Sequence, residues 1–142
     1  MAYIAALVFG ATGFLVAHLI LANSAGNGWQ SLAIWSGAAA FGLSFLFWRI
    51  FCKSDRLVSG RRGALVGLLT GVLAHPVAWY LAIVWSYASG ARSSLGERML
   101  NPLEAVAACF VFAAGSIILT GWLTVPAGGV IGWILGKLLR PR

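Results

Sequence analysis

Charged residues are scarce in this chain. Of its 142 residues, 10 are Lys or Arg and only 3 are Asp or Glu, so 9% are charged, against roughly 25% in an average soluble domain. Hydrophobic residues make up 61% of the sequence, and the mean hydropathy is +0.91. So few charges cannot cover a water-soluble surface. We therefore expect lipid to solvate the outer face, and contacts between helices to organise the interior.

Acidic side chains are too few and too peripheral to supply catalysis. Asp55, Glu97 and Glu104 all lie at the ends of hydrophobic segments, and no nucleophile lies beside a plausible base. The sequence therefore predicts a protein that is not an enzyme. The lack of an acid deep within a segment also disfavours a coupled ion transporter, because such transporters use buried carboxylates.

Cysteine is equally sparse, since Cys52 and Cys109 are the only two. They have neither metal-ligand spacing nor the Cys-x-x-Cys pattern of a redox pair, so we expect no metal site. A disulfide needs Cα atoms within about 7 Å. In a four-span topology the two residues lie near opposite faces of the bilayer, so we expect no disulfide between them. Each is expected to pack as a small, buried hydrophobic side chain.

Long apolar runs predict an all-α integral membrane protein, a bundle of four transmembrane helices forming a single domain over residues 1–142. A spanning helix needs about 20 mainly apolar residues. The stretches that satisfy this length are residues 2–22, 31–51, 63–87 and 102–124. The first run could also be a signal peptide, but no Lys or Arg precedes it and it is longer than a usual signal core, which favours an uncleaved helix.

The last hydrophobic region is too long for one ordinary span. Ala105 to Leu139 would measure about 50 Å as one helix, against a hydrocarbon core of about 30 Å. Pro126, followed by Gly128 and Gly129, predicts a break at this point. We expect a short C-terminal helix over residues 130–139 that is kinked or lies in the membrane interface.

Basic residues predict the orientation of these spans. Four spans put both termini on one side, and that side would collect eight of the ten basic residues, which are Arg49, Lys53, Arg56, Arg61, Arg62, Lys137, Arg140 and Arg142. The opposite side would hold Arg92 and Arg98. The positive-inside rule then places both termini in the cytoplasm, and we expect a multi-pass protein of a bacterial inner membrane. Charges at segment ends indicate contact with lipid headgroups rather than with nucleic acid.

Two rows of glycine at a spacing of four predict close helix packing. One row is Gly63, Gly67 and Gly71, and the other is Gly128, Gly132 and Gly136. Residues four apart share a helix face, and a face of glycines lets another backbone approach closely. The partner of each row could be the other row or a second subunit.

Two histidines are the only titratable side chains well inside the predicted spans, and such groups are costly enough to indicate function. His75 lies near the middle of the bilayer, and His18 lies nearer the outer face. Each could bond a neighbouring carbonyl or hydroxyl in a purely structural role. Alternatively, they could form an ion or proton path, or together bind haem iron.

These features predict a small non-enzymatic membrane protein that acts by helix packing. It would be an accessory or assembly subunit of a larger membrane complex, or a homo-oligomer, and would need no cofactor. The competing hypothesis is a channel or transporter for protons or a small solute, with His75 in the path. The third is a haem-binding electron carrier. A cavity that reaches His75 would favour the channel or transporter, and a solidly packed bundle there would exclude it.

Overall fold

A computed structural model describes residues 1–22, 30–52, 59–92 and 96–139. The described residues form α1 (Ala2–Ala22), α2 (Gln30–Phe51), α3 (Gly60–Ala88), α4 (Pro102–Ser116), a π-helical turn (Ile117–Gly121) and α5 (Trp122–Leu138). The part of the chain described here contains no strand. α1, α2, α3 and the continuous stretch from α4 to α5 are each long and apolar enough to cross a membrane. The predicted all-α architecture with four such helices is confirmed.

Local capping explains where α4 begins. Asn101 Oδ1 accepts hydrogen bonds from the backbone N–H groups of Leu103 and Glu104, at 2.9 and 3.0 Å. Glu104 Oε2 accepts a bond from the Asn101 N–H at 2.9 Å, which completes a capping box. Pro102 occupies the first turn, where a missing N–H leaves no helical bond unmade.

The predicted break at Pro126 is wrong. Pro126 lies inside α5, which runs without interruption from residue 122 to residue 138, so there is no separate helix over residues 130–139. The irregular segment lies earlier, at the π-helical turn. Gly128 and Gly129 are buried against α3, and this packing holds the backbone helical where local propensity disfavours a helix.

α3 is the central helix of the bundle. It packs against α2 on one side and against α4 and α5 on the other, while α1 packs mainly on α2 and has a much smaller contact with α5. A buried apolar cluster joins the helices at one end, and it consists of Ala5, Phe9, Trp48, Cys52, Val66 and Leu135. We call this end the basic end, because Arg49, Arg61, Arg62 and Lys137 belong to its helix termini.

Glycine forms the closest contact between α3 and α5. A Cβ atom added to Gly67 would overlap the carbonyl oxygen of Gly128, and one added to Gly63 would overlap that of Gly132. A Cβ on Gly71 would lie 3.0 Å from the Cα of Val125. The remaining glycine of the row, Gly136, lies against Ser59 and Gly60 at the start of α3. Within the described chain the two rows are therefore partners of each other.

A second glycine contact, which the two predicted glycine rows do not include, joins α1 to α2. A Cβ on Gly10 would lie 3.0 Å from Phe41 Cβ, and one on Gly13 would lie 3.0 Å from Ala40 Cβ. From the opposite helix, a Cβ on Gly37 would lie 3.1 Å from the carbonyl oxygen of Gly10. The signal in the sequence was the pair of small residues Ala33 and Gly37, which share one face of α2.

Candidate functional site: a cavity beside His75

A cavity of about 510 Å³ lies between α1, α2, α3 and the stretch from α4 to α5. Most of its lining side chains are apolar. Its hydrogen-bonding side chains include Thr12, Ser36, Thr70, His75, Ser116, Thr120 and Thr124. None of the described residues that line it is Asp, Glu, Lys or Arg. The cavity is therefore an uncharged, mainly apolar space with one imidazole and several hydroxyl groups on its wall.

The lining residues differ in their exposure. Phe9, which lines the cavity and belongs to the buried cluster at the basic end, is only 4% exposed. Ile20 of α1 and Leu119 of the π-helical turn also line the cavity, yet they are 36% and 74% exposed. α1 also makes a much smaller contact with α5 than with α2, so the wall between α1 and the stretch from α4 to α5 is the less tightly packed side of α1.

Both ring nitrogens of His75 contact hydroxyl groups. Its Nδ1 lies 2.8 Å from Ser116 Oγ, and its Nε2 lies 3.1 Å from Thr124 Oγ1. Ser116 ends α4 and Thr124 belongs to the first turn of α5, so the two hydroxyls lie on either side of the π-helical turn. The His75 ring is thus held from both sides while it forms part of the cavity wall.

The hydroxyl protons constrain the protonation state of this ring. In the structure Ser116 Oγ donates to the carbonyl oxygen of Ala113 at 3.1 Å, and Thr124 Oγ1 donates to that of Thr120 at 3.2 Å. A hydroxyl has one proton to donate, so each of these two hydroxyls either donates to its carbonyl and accepts a bond from the ring, or donates to the ring nitrogen beside it. In the neutral ring one nitrogen accepts, and one hydroxyl must turn its proton toward it. Rotation of a single hydroxyl therefore accompanies gain or loss of a proton by His75.

The polar side chains on the wall beside His75 repeat at the spacing of a helix face. Ser116, Thr120 and Thr124 occur at intervals of four in an otherwise apolar region, and Thr120 Oγ1 donates to the Ser116 carbonyl oxygen at 2.8 Å. All three line the cavity. A polar stripe at helical spacing was the signal that could have located this wall.

Thr70 has a buried hydroxyl without a partner among the described residues. The residue is 2% exposed and lines the cavity on α3, but its Oγ1 makes no hydrogen bond. Thr12, which lines the cavity on α1, instead donates to the carbonyl oxygen of Val8 at 2.8 Å. An unpaired buried hydroxyl destabilises a protein by roughly 1–3 kcal/mol. Thr70 is therefore a buried hydroxyl of the cavity wall to which a bound molecule would supply the hydrogen bond it lacks among the described residues.

His18 does not take part in this site. It is exposed on α1, where its ring stacks on Phe14 with a centroid distance of 5.7 Å and an angle of 9° between the ring planes. It is absent from the lining of the cavity. The structure thus does not bring His18 and His75 together, because they face in different directions from α1 and α3.

Charged and thiol groups lie away from the cavity. Cys52 and Cys109 are both free and buried. Cys52, just beyond the end of α2, belongs to the cluster at the basic end, where burial raises the pKa of its thiol and the nearby Arg62 guanidinium partly opposes that rise. The described residues contain no group of three or more His, Cys, Asp or Glu side chains that could hold a metal ion.

No family model, curated protein or solved structure matches this chain. Its function must therefore be inferred from the residues around the cavity.

Proposed function

We propose that this chain is a multi-pass membrane protein of the channel or transporter class. In this proposal the cavity admits a small solute or water to His75, and His75 takes up and releases a proton. The observation that carries the proposal is a cavity of about 510 Å³ whose wall includes the His75 ring. A solidly packed bundle at this position would have excluded it.

The surroundings of His75 support the role in proton transfer. An ionisable side chain inside a membrane is unfavourable unless its neighbours compensate its charge, so it indicates function. Ser116 and Thr124 contact the two ring nitrogens, and rotation of either hydroxyl lets the same ring position serve the neutral or the protonated state. An imidazole also titrates near neutral pH more readily than any other side chain.

The leading hypothesis from the sequence was a protein that acts by packing its helices against another subunit. The channel or transporter proposal takes its place. The glycine rows that motivated an accessory subunit or a homo-oligomer contact each other within one chain, so they no longer require an external partner. A role as a subunit of a larger complex stays a prediction. The haem hypothesis required His18 to face His75, and His18 lies outside the cavity lining.

Proton flux tests the role of His75. Purified protein is reconstituted in vesicles of the host's total membrane lipid, and a pH-sensitive dye inside reports flux after a pH step. We expect flux above that of protein-free vesicles. Replacing His75 with alanine should reduce that flux at least about tenfold, since positioned acid–base groups contribute factors of this size or larger.

The matched control for this experiment is His18→Ala, which removes the same side chain from an exposed position outside the cavity. Its flux should stay within about twofold of the unmodified protein, because surface substitutions have small effects. Wild-type flux equal to that of protein-free vesicles would refute the proposal. So would equal losses in the two variants.

We also propose that the basic end faces the cytoplasm, with both termini on that side and the protein in the inner membrane of a bacterium. Arg49, Arg61, Arg62 and Lys137 support this orientation through the positive-inside rule. The opposite end combines Arg92 and Arg98 with Glu97 and Glu104. The other residues of the prediction, Lys53, Arg56, Arg140 and Arg142, lie outside the described residues.

Accessibility to a membrane-impermeant maleimide measures this orientation in whole cells. In a variant without native cysteines, Ala91→Cys and Arg61→Cys introduce exposed thiols at opposite ends of α3. We expect the reagent to label residue 91 in intact cells and residue 61 only after the membrane is opened, because a charged reagent does not cross the bilayer. The reverse pattern would invert the proposed orientation.

A further inference from the structure

We propose that the cavity binds an uncharged amphipathic molecule that enters sideways from the bilayer, between α1 and the π-helical turn, and whose polar head reaches Thr70 and His75. This inference rests on the proposed function, in which the cavity admits a solute. It adds the chemical class of that solute, its route and the residue that recognises its head.

The lack of charge on the cavity wall decides the charge of the occupant. None of the described lining residues is acidic or basic apart from His75. A charged head in a mainly apolar cavity would need a partner of opposite sign, and while His75 is neutral the described wall offers none, so burial of that head is strongly unfavourable. An uncharged head needs only hydrogen-bonding groups, and the wall supplies hydroxyls on α1, α2, α3 and the stretch from α4 to α5.

The shape and composition of the cavity favour an occupant with an apolar body. Its volume of about 510 Å³ lies within the range of roughly 300–1,000 Å³ that small-molecule sites occupy. Val16 and Leu21 of α1, Leu32 of α2 and Ile131 of α5 provide apolar walls on several sides. An alkyl or ring body would fill this space, whereas a small polar solute would leave most of it without matching contacts.

Thr70 is the residue that indicates where the polar head binds. Its hydroxyl is buried and unpartnered among the described residues, although its side chain lines the cavity. Threonine in a helix populates two side-chain rotamers, and in this proposal rotation about Cα–Cβ brings the hydroxyl to the head of the bound molecule. Counting from Thr70, His75 lies about one and a half helical turns further along α3. A polar head between Thr70 and His75 would give the Thr70 hydroxyl the hydrogen bond that no described residue provides.

The helix contacts determine the route. α1 and α2 are joined through Gly10 and Gly37, and α3 and α5 through Gly67 and Gly128, so neither contact leaves room for a passage. α2 also packs along α3. α1, by contrast, makes a much smaller contact with α5 than with α2, and in this proposal the molecule passes between α1 and the stretch from α4 to α5. The exposed Ile20 and Leu119 at this gap are apolar, which suits a molecule arriving from lipid.

Photolabelling in lipid nanodiscs tests the inference. The probe is 1-dodecanol with a diazirine on its alkyl chain, and labelled residues are mapped by mass spectrometry. We expect labels on the lining positions of α1 and α3. Unlabelled 1-dodecanol should compete, while dodecyltrimethylammonium and dodecyl sulfonate, which share its tail but carry charge, should compete about tenfold more weakly or worse.

Two variants isolate the recognition of the head. Thr70→Val removes the unpartnered hydroxyl and should weaken labelling about three- to tenfold, as expected for the loss of one hydrogen bond. Ser86→Ala removes a hydroxyl of α3 that lies outside the cavity lining and donates to the carbonyl oxygen of Ala82, and should leave labelling unchanged. Thr70→Val also removes a buried unpaired group, so we expect the variant to fold at least as stably as the unmodified protein.

Three results would overturn the inference: equal competition by the charged amphiphiles, labels confined to outward-facing residues such as Val111 and Ile118, or equal labelling of the Thr70 and Ser86 variants. Flux that still depends on His75 under any of these results would leave the proposed function standing. Labelling as expected, with flux that does not depend on His75, would support the binding site and refute the role in proton transfer.

Discussion

Gly67→Ala is expected to unfold or severely destabilise the protein. The added Cβ would overlap the carbonyl oxygen of Gly128 on α5. This neighbour is backbone, so no side chain can rotate away, and α3 and α5 must separate along their whole contact. Overpacking typically destabilises a protein by about 1–3 kcal/mol. We expect a loss of stability at the upper end of this range or above it, because the contact between α3 and α5 is among the largest helix contacts of the bundle.

Thermal unfolding in mild detergent, followed by circular dichroism and by the monodispersity of the eluted protein, measures this effect. Gly115→Ala is the control, since no atom lies within 4 Å of the position its Cβ would occupy. Alanine is more favourable than glycine within a helix by roughly 0.5–1 kcal/mol, so the control should unfold at the same temperature or higher. Equal unfolding temperatures for the two variants would show that α3 and α5 do not approach as closely as described.

Ala17→Phe is expected to abolish flux without unfolding the protein. Ala17 lies on α1, half-buried, and lines the cavity. A phenyl ring at this position would occupy space that the solute needs. Filling a cavity commonly stabilises a protein by about 0.5–2 kcal/mol, so the unfolding temperature should stay constant or rise while flux falls to the level of protein-free vesicles.

The control for this variant is Ala11→Phe, which adds the same ring to an exposed position of α1 outside the cavity lining. Flux should be unchanged, because the ring faces away from the bundle into the surrounding lipid or detergent. The same vesicle assay compares both variants with the unmodified protein. Flux that persists in Ala17→Phe, with a normal unfolding temperature, would show that the path of the proton does not cross this cavity.

Local features of the sequence were sufficient to predict the helices. The length and hydropathy of each apolar run depend only on neighbouring residues, so four helices long and apolar enough to cross a membrane followed directly. The predicted start of the last apolar run at residue 102 coincides with the start of α4 for the same reason. By contrast, the sequence placed a break at Pro126, where packing of Gly128 and Gly129 against α3 keeps α5 helical.

The candidate site was only partly predictable. His75 was identified because an ionisable residue within an apolar run is unusual, but its partners Ser116 and Thr124 are 41 and 49 residues away along the chain. The unpartnered hydroxyl of Thr70 had no signal at all, since only the surrounding helices determine whether a threonine finds an acceptor.

Apart from the continuity of α5 through Pro126, the sequence by itself determined which described segments are helical, how far along each helix a residue lies and which residues share a face. Only the tertiary structure decided which faces meet. It paired the two glycine rows with each other, turned His18 away from the bundle and His75 toward the cavity. The physical reason is that rise and period are properties of one helix, whereas the rotation of a helix about its axis is fixed by packing against its neighbours.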